Sequence, residues 1–139
     1  MTVFKRCSLL LAGVFLCFCF SLMEQRVCFG NGENITFYCG NSSSNCRIVE
    51  AGETPIATKI TLNDICGESA EYKDFNLEEF LREVNGEILF CEELSDSVNY
   101  YCKADLPYSI NLYGKEINLH ICLREDGAKV ASPIIFGGY

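Results

Sequence analysis

Alternation of apolar and polar positions is clearest through residues 116–124. Ile117, Leu119, Ile121 and Leu123 take one side there, and Asn118, His120, Cys122 and Arg124 the other. A period of two predicts a strand buried on one side. Asp126-Gly127 supplies turn residues, and 129–136 alternates again through Val130, Ile134 and Phe136, so the last two strands are predicted to pair as an antiparallel hairpin. Further strands are predicted at 34–38, at 56–62 with Ile56, Thr58, Ile60 and Leu62 on one side, and at 88–91 and 98–102 joined by the polar connection 92–97. Another is predicted at 108–113, with Ile110 and Leu112 facing one way. Residues 76–84 differ. Leu77, Phe80, Leu81 and Val84 recur at helical spacing, and Asn76 with Glu79 resembles a capping box, so a short helix docked on the sheet is expected. A strand recruited by tertiary contacts is the alternative. The sum is an all-β, immunoglobulin-like sandwich of two antiparallel sheets with one short helix.

The N-terminus has a different pattern. Lys5 and Arg6 precede an uncharged run from Cys7 to Met23, apolar at its centre. A basic region followed by a short apolar core predicts a signal peptide, residues 1–21, cleaved after Ser21 or, as the near alternative, after Cys19. The competing reading is a membrane-retained anchor, for which the apolar centre is short. Residues 22–139 are then one domain, with no repeat or linker to divide them.

Removal of the signal takes Cys7, Cys17 and Cys19 with it and leaves Cys28, Cys39, Cys46, Cys66, Cys91, Cys102 and Cys122. In a secreted chain these predict a disulfide framework, and the odd count leaves one thiol free or paired to another chain. Asn34-Ile35-Thr36 and Asn41-Ser42-Ser43 are glycosylation sequons. The net charge of the whole chain is −8, and loss of Lys5 and Arg6 makes it two units more negative. Such an acidic chain is a poor match for nucleic acid, which needs clustered cations. The acidic stretch 68–93 is read as a solvated face.

Little in the chain points to catalysis. His120, the one histidine, is expected at a surface or rim rather than as a general base. The cysteine spacings are too wide for a zinc site, and no CxxC occurs in the mature part. The pairs Glu78-Glu79 and Glu92-Glu93 do not set an acid opposite a base. No catalytic residue, metal or cofactor is therefore expected.

The order of cysteines adds a resemblance. Val27-Cys28, Tyr38-Cys39, Cys46, then Phe90-Cys91-Glu92-Glu93-Leu94, Tyr101-Cys102-Lys103, Gly114-Lys115 entering a strand with the lone Cys122, and a closing apolar strand together resemble the ML lipid-recognition superfamily. Within it, the likeness is to the secreted lymphocyte-antigen co-receptors of Toll-like receptors. The resemblance implies a cup of two antiparallel sheets holding acyl chains between them. It also implies a secreted innate-immune accessory protein, with a lipid and a leucine-rich receptor ectodomain as partners. The implied lining is Ile60, Leu62, Ile110, Leu112, Ile117, Leu119, Ile121, Leu123, Ile134 and Phe136, each with a filled core as its alternative. The implied disulfides are Cys28–Cys46 and Cys91–Cys102. The chain departs from the family in its additional Cys66 and in having no cysteine after Cys122, so Cys39, Cys66 and Cys122 compete for a third bond. Lys103, Lys115, Arg124 and Lys129 are few for an endotoxin's phosphates, so a neutral or zwitterionic lipid is equally consistent. The rival reading is a lipid-free, disulfide-rich module, cytokine-like or inhibitory, working through its surface.

Overall fold

A computed structural model describes residues 2–24, 26–41 and 45–137. A helix, α1 (Thr2–Glu24), is followed by nine strands and two short helices. These are β1 (Glu33–Cys39), β2 (Arg47–Glu50), α2 (Pro55–Thr61), β3 (Ile65–Tyr72), α3 (Leu77–Glu83), β4 (Glu87–Glu93), β5 (Val98–Lys103), β6 (Ile110–Leu112), β7 (Lys115–Ile117), β8 (Leu119–Arg124) and β9 (Gly127–Ser132). Seven strands form one antiparallel sheet in the order β2-β1-β3-β9-β8-β5-β4, and β6 and β7 form a separate hairpin. The protein is thus mostly β, as its periodicity predicts.

The two faces of the large sheet differ. Phe37, Ala70, Val130, Ile121, Leu119 and Cys102 point to one face, where they pack with Phe29 and with Phe80 of α3 into the main core. Leu77 and Leu81 of α3, Val84 at its C-cap and Leu62 after α2 close this layer at its margins. Asn76 caps α3 as predicted, its Oδ1 accepting from the Glu79 N–H at 3.1 Å. The other face carries Tyr38, Ser69, Ala131, Cys122 and His120 and is crossed by the C-terminal segment 133–137.

Four expectations are corrected. The strand predicted at 129–136 ends at Ser132, where Pro133 has no donor to continue the ladder, so Ile134 and Phe136 belong to the segment that crosses the sheet. Residues 56–61 of the strand predicted at 56–62 lie in α2, with Leu62 as its C-cap. Pro55 opens it with a fixed φ at a position that needs no donor, and the Thr58 hydroxyl bonds back to the Thr54 carbonyl at 3.1 Å. The run 116–124 is broken at Asn118. Its side chain pairs with the Ala104 backbone, accepting from N–H and donating to C=O, so β7 leaves the large sheet and joins β6. Strand β8 is buried on both faces rather than one, because the C-terminal segment covers His120.

Helix α1 exposes Leu9, Leu10, Leu11, Val14 and Phe15. Among the described residues no helix is long and apolar enough to cross a membrane.

A buried polar cluster ties the helical layer to the sheet. Lys59 of α2 forms an ion pair with Glu68 of β3, and Glu68 has no exposed surface. Glu68 also accepts from the Cys28 N–H at 2.7 Å and from the Tyr108 hydroxyl at 3.3 Å, while Lys59 donates to the Arg26 carbonyl at 2.6 Å. Burial, then the Glu68 carboxylate, pushes the Cys28 thiol and the Tyr108 phenol above their ordinary ranges, so both stay protonated.

Candidate functional site

On the open face, beside the β4 edge, lies a groove of about 410 Å³ lined by Phe90, Tyr101, Leu112, Tyr113, Ile134 and Ile135, with Glu92 and His120. Its floor is an aromatic stack across three strands. Phe90 lies over Tyr101 at 4.6 Å between ring centroids and 18° between planes, and Tyr101 lies over His120 at 4.6 Å and 17°. The pairing of β4, β5 and β8 builds this stack, since Phe90 opposes Tyr101 and Tyr101 opposes His120. The β6–β7 hairpin forms one wall. Its two-residue turn, Tyr113-Gly114, has positive φ at both positions (51° and 75°), as a type I′ turn requires, and sets the Tyr113 ring edge-on to Phe90 at 6.0 Å. Ile134 and Ile135 form the other wall. At the rim, the Lys115 ammonium lies 5.8 Å from the Phe90 centroid, and the Tyr101 hydroxyl donates to Glu92 at 3.5 Å.

His120 is a buried positioning residue, contrary to the rim placement expected from periodicity. Its Nδ1 accepts from the Ile135 N–H at 3.2 Å, which puts the ring proton on Nε2, where it is donated to Asn99 Oδ1 at 2.9 Å. Burial lowers its pKa to about 4. The neutral ring is thus held between Asn99 and the C-terminal segment.

The sign of the linkage follows. The folded pKa lies below the unfolded value near 6.5, so the unfolded chain takes up a proton first as pH falls. His120 therefore contributes stability in full above about pH 6.5, and that contribution is lost as pH falls toward 4. Urea unfolding at pH 7 and pH 4.5 is expected to show a pH-dependent loss about 2–3 kcal/mol smaller in His120→Gln than in the natural protein. Equal losses in the two proteins would remove this role.

The ten lining residues expected from the sequence are not brought into one cavity. Leu112 and Ile134 line the aromatic groove. Phe136 lies beyond the C-terminal segment, edge-on to Tyr38 at 4.9 Å, in a more polar groove with Asn34, Glu50, Glu71 and Lys129. Leu119 and Ile121 are buried in the main core with Leu62 and Leu123 at its margin. Ile117 is buried in β7, Ile110 is half-buried opposite it, and Ile60 is exposed on α2. Phe90, Tyr101, Tyr113 and Ile135 are lining residues that the periodicity does not single out. The signal that was present is the pair Phe90-Cys91 and Tyr101-Cys102 at the two ends of one predicted hairpin.

The cysteines are thiols in this structure. Cys91 is exposed opposite Tyr100, and Cys102 is buried opposite Ile88, so the register does not oppose these two. Cys28 lies beside Glu68 and Lys59, whereas Cys46 meets Cys66 at 3.9 Å between sulfurs. Cys39 and Cys122 are buried on opposite faces of the sheet. Of the sequons, Asn34 is exposed and donates to Glu71 at 2.8 Å, and Asn41 is exposed, while Ser42 and Ser43 lie outside the described residues.

No family model, curated protein or solved structure matches the chain. The ML resemblance therefore rests on the cysteine and aromatic positions alone.

Proposed function

We propose that this is a secreted, non-catalytic binding protein that takes the acyl chain of an amphiphile into the aromatic groove, between the large sheet and the β6–β7 hairpin. The observation that carries this reading is the groove itself: a floor of stacked rings and two largely apolar walls, with Lys115 and Glu92 at the rim. Sites for small ligands are concave, mostly apolar and about 300–1,000 Å³ in size. At about 410 Å³ this one suits a single chain better than a many-chained glycolipid. In this reading the hairpin is the smaller sheet of a two-layer cup, which is the form of the ML architecture that the arrangement supports. The partner class implied by the resemblance, a leucine-rich receptor ectodomain, is carried over with it. The filled main core favours the rival, a lipid-free surface module, over any deep cup.

One experiment tests the reading. The full chain expressed in secretory cells is recovered from the medium, and its intact mass is measured before and after glycosidase treatment and under native conditions. The expected protein begins near Leu22, carries glycan at Asn34, Asn41 or both, and retains lipid or takes up added palmitate. An uncleaved chain held in the cell overturns secretion. A secreted chain that neither retains lipid nor binds palmitate leaves the lipid-free module.

A further inference from the structure

We propose that Cys46 and Cys66 form a disulfide that pins the β1–β2 connection, and with it the edge strand β2, to β3; the inference rests on the reading of the chain as secreted.

Regular sheet geometry argues against such a bond. Strands β2 and β3 flank β1, and strands two places apart are roughly 9–10 Å from each other, beyond the reach of a disulfide. Two local features remove the obstacle. The pairing of β1 with β3 shifts register so that Tyr38 opposes Gly67 and Cys39 opposes Ile65, which leaves Cys66 as the extra, unopposed residue of a bulge. The chain after β1 then folds back over its own end at Gly40. This residue has φ +150°, and a Cβ there would lie 2.7 Å from the Asn45 carbonyl oxygen and 3.3 Å from the Cys46 Cα. On its other side Gly40 donates to the Asp64 carbonyl at 2.9 Å, so it sits between the backbone entering β2 and the backbone entering β3. Absence of a side chain at position 40 is what lets Cys46 reach across β1. The two sulfurs meet at 3.9 Å, in thiol contact.

The competing thiols are otherwise placed. Cys39 is 5 % exposed and packs in the main core, and Cys28 is held at the Glu68 cluster. Burial, and then the adjacent Cys46, holds the Cys66 thiol up at about 11, so it is protonated at neutral pH, as the sulfur contact requires. Bond formation removes two protons and two electrons. The disulfide of an oxidised dithiol oxidoreductase accepts them and leaves as a dithiol, through a mixed disulfide with one of the two cysteines. The bond replaces the Cys28–Cys46 pairing that the ML resemblance implies.

The test is alkylation of free thiols in the secreted full chain, deglycosylation and tryptic mapping without reduction. Cleavage at Arg26, Arg47, Lys59 and Lys73 places Cys28, Cys39 and Cys46 in one peptide and Cys66 in another. The expected result is a linked species of these two peptides, lighter than their sum by two hydrogen atoms. Electron-transfer fragmentation between Cys39 and Cys46 should place the link at Cys46. It should persist in Cys39→Ser and vanish in Cys46→Ser. A link that maps to Cys39 or Cys28, or recovery of Cys46 and Cys66 as separately alkylated residues, overturns the bond. The N-terminus separates the two failures. A trimmed, secreted chain without the link refutes the bond alone, whereas an untrimmed, retained chain with alkylated thiols refutes secretion as well.

Discussion

Replacing Lys59 with methionine is expected to destabilise the protein by about 3–5 kcal/mol, read as a fall in the urea midpoint at neutral pH. The reason is the partner left behind. Glu68 has no exposed surface, and without the ammonium its carboxylate keeps only the Cys28 N–H and the Tyr108 hydroxyl. An uncompensated charge in a dry interior costs more than the intact pair contributes, because the pair has largely offset its own desolvation. The double variant Lys59→Met with Glu68→Gln should therefore recover more than half of the loss, since glutamine carries no charge, keeps one oxygen to accept from the Cys28 N–H and turns its NH2 toward the Tyr108 hydroxyl oxygen, which can accept. If the double variant is as unstable as the single one, the loss reflects packing of the α2 layer and not the buried charge.

The same cluster accounts for much of what periodicity leaves hidden. Strand β3 is central to the sheet, yet its sequence, Ile65 to Tyr72, shows no apolar alternation, because Glu68 faces the main core and Ser69 the other side. A buried carboxylate reads as a surface residue until its partner is known, and Lys59 lies in a segment whose alternating Ile56, Thr58, Ile60 and Leu62 imitate a strand. Tertiary pairing overrides local pattern in both places. Where a single face decides burial, the pattern is legible: the β4–β5 hairpin and α3 stand where the apolar positions put them, whereas β8 and β9 pair as predicted but with shifted ends.

The candidate site is legible only in part, for a similar reason. Leu112 and Ile134 are visible as apolar members of alternating runs, and they do line the groove. Its floor is not visible. Phe90, Tyr101 and His120 come from three strands and meet only through register, which a bulge between Ile88 and Phe90 adjusts. His120 looks solvent-facing from its alternation with Leu119 and Ile121, and only the returning C-terminal segment buries it.

Leu119 and Leu112 should answer a charged substitution in opposite ways, and the contrast separates core from site. Leu119 is fully buried in β8 opposite Cys102, within the core that contains Phe29, Phe37 and Phe80. In Leu119→Asp an unpaired carboxylate replaces a packed side chain there, so the expected loss is at least about 4 kcal/mol, enough to abolish secretion of a domain of marginal stability. Leu112 is half-buried on the hairpin wall, where a carboxylate can turn toward water, so Leu112→Asp should be secreted with a thermal midpoint within a few degrees of the natural protein. Yet the aspartate at position 112 faces the acyl path, and desolvating it against a methylene chain should weaken palmitate binding at least about ten-fold, equivalent to about 1.4 kcal/mol. Charge-neutral Leu112→Asn should give a smaller loss, which distinguishes repulsion of the chain from a shift of the hairpin. Were Leu112→Asp to bind palmitate with unchanged affinity while folding normally, the groove between the sheet and the hairpin would not be where the chain lies.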